Sequence, residues 1–237
     1  MTGAFCGNVF IAEPNEEYEQ MFKDQGWGIV FDLLEADLVQ LTGGEDVNPS
    51  MYNEHRHPKT YFNSRRDDQD FAVARYAMKH NIPLAGICRG GQFLNVLNKG
   101  SMWQDVSGHA LNAKHMMRDH WNDIKLPVTS THHQMMMPGA NGLIIGTAIE
   151  SERRERVNKK IPGSIHTNII RTREHLTWSD SDVDQDIEIV WYPDTDSLCY
   201  QPHPEFKGEI ELRNHYFLLL EQLFYDTLDI KKVSNDK

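Results

Sequence analysis

The sequence predicts an α/β fold, with a mostly parallel central sheet and helices on both of its faces. Short apolar runs alternate with longer amphipathic segments in the N-terminal half, in the order strand, helix, strand, strand, helix, strand, helix. Neighbouring parallel strands need long, usually helical, crossovers, so this alternation favours a parallel sheet. The chain has 237 residues, which is enough for one large domain of this class with a substantial core.

Four strands and three helices are expected in the N-terminal half, each from its own local pattern. The strands are short apolar runs at residues 8–12, 28–31, 36–41 and 83–87. The helices are amphipathic or helix-compatible segments at residues 14–23, 64–80 and 92–97. Because active sites of parallel sheets lie at the carboxyl ends of the strands, we expect functional residues directly after the third and fourth strands.

The C-terminal half contains further predicted strands and a closing helix. The strands cover residues 126–131, 142–149, 186–191 and 197–200, and residues 102–106 form a short strand or a loop. Residues 186–191 alternate apolar and polar side chains, which is typical of a half-buried strand. An amphipathic helix is expected at 209–228 and a frayed tail at 231–237. We expect residues 1–230 to form a single domain.

A polar insertion interrupts this domain at about residues 151–186. Its first half is basic and its end is acidic. Charge blocks of this kind are usual in a solvated surface excursion. Long loops in compact domains also serve as lids or binding loops, so both interpretations stay open.

Composition argues against several classes of partner. The formal net charge of −11 opposes general affinity for nucleic acid or for an anionic membrane surface. No apolar run is long enough to span a bilayer, and the N-terminus has no signal-peptide pattern. The three cysteines, Cys6, Cys88 and Cys199, provide no disulfide framework and suit a reducing compartment. We therefore expect a cytoplasmic location.

One short stretch carries the functional prediction. An apolar strand runs into Gly86-Ile87-Cys88-Arg89-Gly90, and helix-compatible residues follow at once. This is the Gly-x-nucleophile-x-Gly pattern of a nucleophile elbow, in which small residues leave room for a sharp turn. The amides of the following helix favour a thiolate at Cys88, and the amide of Arg89 can donate to an oxyanion. The alternative is a buried structural cysteine after a strand.

Two other stretches can meet Cys88 at the carboxyl edge of the sheet. The loop that contains Gly43 and Gly44 follows a strand, so its amides can supply a second oxyanion donor, or it is an ordinary turn. His203 and Glu205 follow the last predicted strand. A histidine held by a carboxylate is the base that a thiol nucleophile needs.

Histidines are concentrated between the elbow helix and the strand at 126–131, but their pattern indicates no metal site. His109, His115, His120 and His132 fall close together in the sequence. No pair of them stands in a ligand frame with cysteines or carboxylates. We therefore expect neither a metal ion nor another cofactor.

Taken together, the motifs resemble those of class I glutamine amidotransferases. Cys88 lies in Gly-Ile-Cys-Arg-Gly-Gly-Gln and His203 in Gln-Pro-His-Pro-Glu, and the order Cys, His, Glu also matches. Within that superfamily, the γ-glutamyl-γ-aminobutyrate hydrolase branch is the most similar. The motifs that support this branch are Thr-Gly-Gly-Glu-Asp-Val-Asn-Pro at 42–49 with Tyr52, Arg66-Asp67, Gln104-Asp105 and His132-His133-Gln134.

The resemblance implies a flavodoxin-like three-layer domain that hydrolyses γ-glutamyl amides through a γ-glutamyl thioester. It implies Cys88 as nucleophile, His203 as base and Glu205 as the group that orients the histidine. The implied oxyanion hole consists of the backbone amides of Gly44 and Arg89. The implied substrate-binding residues are Gly43, Gln92 and His132. The expected partner is a small γ-glutamyl substrate whose leaving amine the sequence does not specify.

The sequence departs from that branch at three places. Lys99-Gly100 stands where a Gly-Gly pair is usual before the Gln-Asp motif. The acidic residue expected after Arg66-Asp67 is shifted or absent, with Gln69 and Asp70 nearby. The insertion at 151–186 stands where a short turn is usual. We expect it to act as a lid or as an element that docks a partner.

Three alternatives to a free-standing hydrolase stay open. A glutaminase subunit would supply ammonia to a synthetase or acceptor enzyme in another chain, since we expect no synthetase domain in this one. A catalytically inactive binding protein would keep the fold, which the complete set of Cys88, His203 and Glu205 disfavours. A thiol enzyme of the α/β-hydrolase type would place its acid before the histidine in the sequence, and Glu205 follows it.

Overall fold

The computed structural model describes residues 6–106, 109, 113–149 and 186–235 of the chain. Its strands are β1 (Asn8–Ala12), β2 (Gly28–Val30), β3 (Leu38–Leu41), β4 (Leu84–Ile87), β5 (Ser101–Trp103), β6 (Ala113–Asp119), β7 (Ile124–Ser130), β8 (Met135–Met137), β9 (Leu143–Ala148), β10 (Ile187–Tyr192) and β11 (Ser197–Tyr200). Its α-helices are α1 (Glu16–Lys23), α2 (Ser64–Lys79), α3 (Arg89–Leu97) and α4 (Ile210–Asn235). Nine strands form one sheet in the order β2-β1-β3-β4-β11-β10-β9-β6-β7, and β5 pairs with β8 separately.

Five neighbouring strands of the main sheet are parallel, as the sequence predicted. They are β2, β1, β3, β4 and β11. Leu41 at the end of β3 pairs with Gly86 of β4, and Ile87 of β4 pairs with Tyr200 at the end of β11. The three strands therefore end at the same edge. This register brings together the loops that begin at Thr42, Cys88 and Gln201.

The other four strands continue the sheet in antiparallel order. Here the sequence analysis missed one strand, β6, and its prediction for the burial of another, β10, is wrong. β6 was not predicted, because its inward positions include His115 and Asp119, which break the apolar alternation of a strand. β10 was predicted to be half-buried, but all of its residues are buried, including Glu188. β10 lies between β11 and β9 inside the sheet, so its polar side chain faces other buried polar groups instead of solvent.

Helices cover both faces of the sheet and complete the three-layer α/β fold. Residues of α1 and α4 pack together on one face, in a cluster that includes Phe22 and Tyr216. Residues of α2 and α3 pack on the other face, in a cluster that includes Ala74 and Phe93. The central strands are consequently buried from both sides, which fixes the positions of the loops at their ends.

The chain ends in a longer helix than predicted. α4 continues to Asn235 and so includes most of the segment expected to be a tail. The sequence after residue 224 contains no glycine or proline that would end the helix. The polar insertion expected at 151–186 lies outside the described residues, except for Asp186. Among the helices that the structure describes, none combines the length and the apolar character needed to cross a bilayer.

Candidate active site

Cys88 lies at a sharp turn between β4 and α3. Its backbone has φ 50° and ψ −113°, a conformation that costs free energy for any residue with a side chain. A Cβ on Gly86 would lie 2.3 Å from the carbonyl carbon of Gly90. A Cβ on Gly90 would lie 2.4 Å from the carbonyl oxygen of Leu41. Only glycine fits at both positions, and the turn has the geometry of a nucleophile elbow.

Three contacts fix the imidazole of His203 in the loop after β11. Its Nδ1 lies 2.6 Å from Oε1 of Glu205. The ring of Phe206 stacks on it, with ring centroids 4.4 Å apart. The backbone N–H of His203 donates to Oγ1 of Thr129 at 2.7 Å. With Nδ1 held by the carboxylate, Nε2 is the nitrogen that stays available for a reacting group.

The loop after β3 meets both Cys88 and His203. A Cβ on Gly43 would lie 3.2 Å from Cε1 of His203 and 3.8 Å from Cβ of Cys88. Burial lowers the pKa of His203, but the negative charge of Cys88, a hydrogen bond to Cys88 and the Glu205 carboxylate together raise it to about 10. The surroundings therefore favour the imidazolium form of His203.

Tyr18 and Arg66 hold the two peptides on either side of the Gly43 Cα in a fixed orientation. The N–H of Gly43 donates to the hydroxyl of Tyr18 at 2.9 Å, and Nη2 of Arg66 donates to the carbonyl of Gly43 at 3.2 Å. Since a trans peptide is planar, the N–H of Gly44 points away from that guanidinium group. Within the described part of the chain, no hydrogen-bond acceptor is found for this N–H. The position favours glycine, because its φ is 152° and a Cβ would also lie 2.7 Å from Nη1 of Arg66.

A buried ionic cluster connects the elbow to α2. Nη2 of Arg89 lies 2.5 Å from Oδ1 of Asp67, and Nη1 of Arg89 binds Asp70. The same carboxylate oxygen of Asp70 lies 3.5 Å from Nε of Arg66. Burial outweighs the effect of Arg89 and raises the pKa of Asp67. Asp70, one helical turn after Arg66, therefore bridges the guanidinium groups of Arg66 and Arg89.

Gln92, expected to contact substrate, is buried on α3. Its Nε2 donates to Oε1 of Gln201 at 3.1 Å and to the carbonyl of Gln134 at 3.4 Å. These bonds connect the elbow helix to the loops after β11 and β7. In this arrangement the side chain of Gln92 supports the wall of the site.

His132 is also buried, and its ring is neutral. Burial first, and then the charges of neighbouring histidines that include His109, His115 and His203, lower the pKa of His132 well below its usual value. Its ring lies 4.8 Å from the ring of His109, between centroids. Neither ring nitrogen of His132 has a hydrogen-bond partner among the described residues. His132 thus lies between the catalytic candidates and a second group of histidines.

The sequence did not identify several residues of this region. Tyr18 lies on α1, 25 positions before Gly43, in a segment with no motif. Asp186 and Glu188 face His109 and His115 across separations of 77 and 73 residues. Pairings over such distances leave no local pattern, so only the fold could reveal them.

Comparison with known proteins identifies the family. The sequence profile named Peptidase C26 matches residues 30–205. A candidate glutamine amidotransferase of Mycobacterium tuberculosis is 32% identical over 185 residues, which are 75% of this chain and 53% of that relative. The chain thus spans about half the length of that relative. A glutamine amidotransferase-like protein of Lactococcus lactis is 29% identical over 181 residues, 76% of this chain and 70% of its own.

Solved structures support the same fold. A candidate GMP synthase component of Thermoplasma acidophilum matches 98% of this chain and 98% of its own, with a TM-score of 0.58 and 13% identity. A glutamine amidotransferase of Thermotoga maritima matches 96% of this chain and 86% of its own, with a TM-score of 0.55 and 14% identity. At these identities the structures establish the architecture alone, while the profile match covers most of the chain. The protein therefore belongs to the Peptidase C26 family within the class I glutamine amidotransferase-like superfamily.

Proposed function

We propose that the protein hydrolyses γ-glutamyl amide bonds with a Cys88–His203–Glu205 triad. The observation that carries this proposal is the meeting of the elbow cysteine and the His203–Glu205 pair at Gly43. A positioned thiolate, an imidazolium and a carboxylate that holds the imidazolium are the groups that acyl transfer from an amide requires. The family membership supports the same chemistry.

The proposed reaction has two halves. The Cys88 thiolate attacks the γ-carbonyl carbon, forming a C–S bond while the carbonyl electron pair moves to oxygen. The tetrahedral intermediate then expels the amine, which takes the proton from Nε2 of His203, and a γ-glutamyl thioester remains. In the second half, His203 removes a proton from water, the hydroxide displaces sulfur, and glutamate leaves with Cys88 again a thiolate.

Two backbone amides are proposed to stabilise the oxyanion. Arg89 is the first residue of α3, and its N–H is among those that an α-helix leaves without an internal partner. The N–H of Gly44 is held away from Arg66 by the hydrogen bond to the Gly43 carbonyl. Both amides belong to rigid backbone, which is the condition under which such donors accelerate acyl transfer.

A glutaminase subunit that supplies ammonia to a separate synthetase is the second candidate. The observation that favours it is the naming of the 32%-identical relative from Mycobacterium tuberculosis as a candidate glutamine amidotransferase. The two candidates share the triad and the thioester. They differ in the amine that leaves and in the need for an acceptor enzyme.

The test is glutamate release by the purified chain, with glutamine and with a γ-glutamyl amine side by side. Cys88→Ala is the inactive variant, and Cys6→Ala is the matched control, because Cys6 is a half-buried cysteine outside the site. We expect release that Cys88→Ala reduces about 10³-fold or more and that Cys6→Ala leaves unchanged. Preference for the γ-glutamyl amine supports the hydrolase, and preference for glutamine supports the ammonia-supplying subunit. Release that does not depend on Cys88 contradicts both.

A further inference from the structure

Five buried ionisable side chains form a second cluster near the catalytic candidates. They are His109, His115, His132, Asp186 and Glu188, each at most 6% exposed. They come from β6, β10 and the loops that precede β6, follow β7 and precede β10. The proposed hydrolysis uses none of their polar atoms. Buried charged groups are costly unless they are paired or bind a metal ion, so this cluster requires an explanation.

Asp186 holds one end of the His109 ring. Nε2 of His109 lies 2.9 Å from Oδ2 of Asp186, and both side chains are completely buried. The other ring nitrogen, Nδ1, has no hydrogen-bond partner in the described structure and lies 3.8 Å from Oε1 of Glu188. A histidine that donates one N–H to a carboxylate and presents its other nitrogen to a shared centre is the usual arrangement of a metal ligand.

Glu188 supplies a carboxylate at the same centre. Its Oε1 lies 2.9 Å from Nε2 of His115 and is also the oxygen nearest to Nδ1 of His109. Its Oε2 has no hydrogen-bond partner among the residues described. His109, His115 and Glu188 each offer a ligand atom, and these atoms all lie within 4.8 Å of one another. A single small ion can be reached by three groups at this separation.

We propose that His109, His115 and Glu188 bind one divalent transition-metal ion of the zinc class. Two imidazole nitrogens and one carboxylate oxygen are a common ligand set for Zn²⁺. The charges balance, because the dication neutralises Glu188 and the nearby Asp186 while both ligand histidines stay neutral. His132, whose ring is tilted by 32° against that of His109 and whose two ring nitrogens have no hydrogen-bond partner among the described residues, can supply a fourth ligand after a small rotation.

The proposed ion would connect β6 and β10 to the loop that carries His203. The carbonyl of Glu188 accepts a hydrogen bond from the N–H of Gln201 at 2.8 Å, two residues before His203. The N–H of His132 donates to the carbonyl of His109 at 2.9 Å. An ion at this place would join, across the strands, segments that are distant in sequence. It is therefore proposed as a structural ion and takes no part in bond breaking.

The experiment measures metal binding directly. The full chain, in a Cys88→Ala background that removes the catalytic thiol, is stripped with a chelator and titrated with Co²⁺ and then Zn²⁺. We expect one ion per chain, visible Co²⁺ absorption that Zn²⁺ abolishes, and a higher Tm with the ion bound. His115→Gln and Glu188→Gln should lose binding, and Asp186→Asn should weaken it about 10–100-fold.

His215→Gln is the matched control. His215 is a buried histidine whose Nε2 lies 3.0 Å from Asp119, so it resembles the His115–Glu188 pair without belonging to the cluster. This variant should bind the ion as tightly as the parent chain. The proposal is overturned if the parent chain binds no ion. That result would be decisive by itself, because it does not depend on whether a ligand variant folds. It is also overturned if binding persists in both Glu188→Gln and His115→Gln.

Discussion

The backbone N–H of Gly43 donates a hydrogen bond to the hydroxyl of Tyr18, 2.9 Å away. The hydroxyl is buried, and burial together with the charge of Glu205 raises the pKa of Tyr18 well above its usual value. Tyr18 therefore stays a neutral phenol beside the triad. Its hydroxyl connects α1 to Gly43, and the N–H of the next residue, Gly44, is a proposed oxyanion donor.

Tyr18→Phe is expected to lower kcat/KM by about 5–100-fold. The substitution leaves the buried N–H of Gly43 without its acceptor, and an unpaired buried donor costs about 1–3 kcal/mol. The loop can recover that loss by rotating the peptide between Thr42 and Gly43, which would shift Gly43 and so misplace the proposed oxyanion donor at Gly44. Steady-state kinetics of glutamate release, with Tm measured alongside, checks the effect. Tyr76→Phe is the control, because Tyr76 stacks on His80 away from the site. Equal kinetics for both variants would exclude a positioning role for Tyr18.

The parallel half of the fold could be predicted because its residues obey local rules. β4 is apolar throughout and α3 follows it after a glycine-bounded turn, so sequence and structure agree there within a few residues. The antiparallel half could not be read in the same way. On β6 the inward positions alternate with exposed ones as in any strand, but His115 and Asp119 occupy two of them. Their partners, Glu188 and His215, lie in distant segments.

The site was predictable to the same extent. The segments around Cys88, His203 and Gly43 carry recognisable spacing because each motif is contiguous. Tyr18 contributes a single hydroxyl from a helix with no motif, and only the packing of α1 reveals it. Asp70 could be predicted in part. Its spacing from Arg66 places the two residues on one face of a helix, but its other partner, Arg89, comes from the elbow and is revealed only by the fold.

Glu205→Gln should move the alkaline limb of the pH profile to lower pH. The carboxylate of Glu205 helps to raise the pKa of His203 to about 10, and the neutral amide removes that charge. The imidazolium that protonates the leaving amine is then lost at a lower pH. The parent enzyme should lose kcat/KM only near pH 10, an apparent value that belongs to the Cys88–His203 pair. Measuring kcat/KM for a γ-glutamyl amine against pH tests this. Glu211→Gln, an exposed carboxylate on α4, is the control, and an unmoved alkaline limb in Glu205→Gln would refute the assignment.

Gly90→Ala and Gly43→Ala are expected to fail in different ways. A Cβ at position 90 would lie 2.4 Å from the carbonyl oxygen of Leu41, which is backbone and cannot move aside. We expect that variant to lose about 1–3 kcal/mol of unfolding free energy or more. A Cβ at position 43 meets side chains and no backbone: Cε1 of His203 at 3.2 Å, the hydroxyl of Tyr18 at 3.5 Å and Cβ of Cys88 at 3.8 Å, so Tm should change little while kcat/KM falls. Urea unfolding and kinetics of both variants separate the two effects. A stable Gly90→Ala would contradict the elbow packing.

Asp70→Asn is expected to destabilise the fold by about 3–5 kcal/mol, because it leaves two buried guanidinium groups without their shared carboxylate. Asp70 is 1% exposed, binds Arg89 and lies 3.5 Å from Nε of Arg66. Asp67 still binds Arg89 and Glu13 still binds Nη1 of Arg66, so each guanidinium group keeps one carboxylate, but Arg66 is held less firmly against the carbonyl of Gly43. Activity should therefore fall even at temperatures where the variant is folded. Asp68→Asn is the matched control, since Asp68 is exposed on the same helix. Urea denaturation gives the free energy of unfolding for both variants, and equal values would mean that the ionic cluster does not stabilise the elbow.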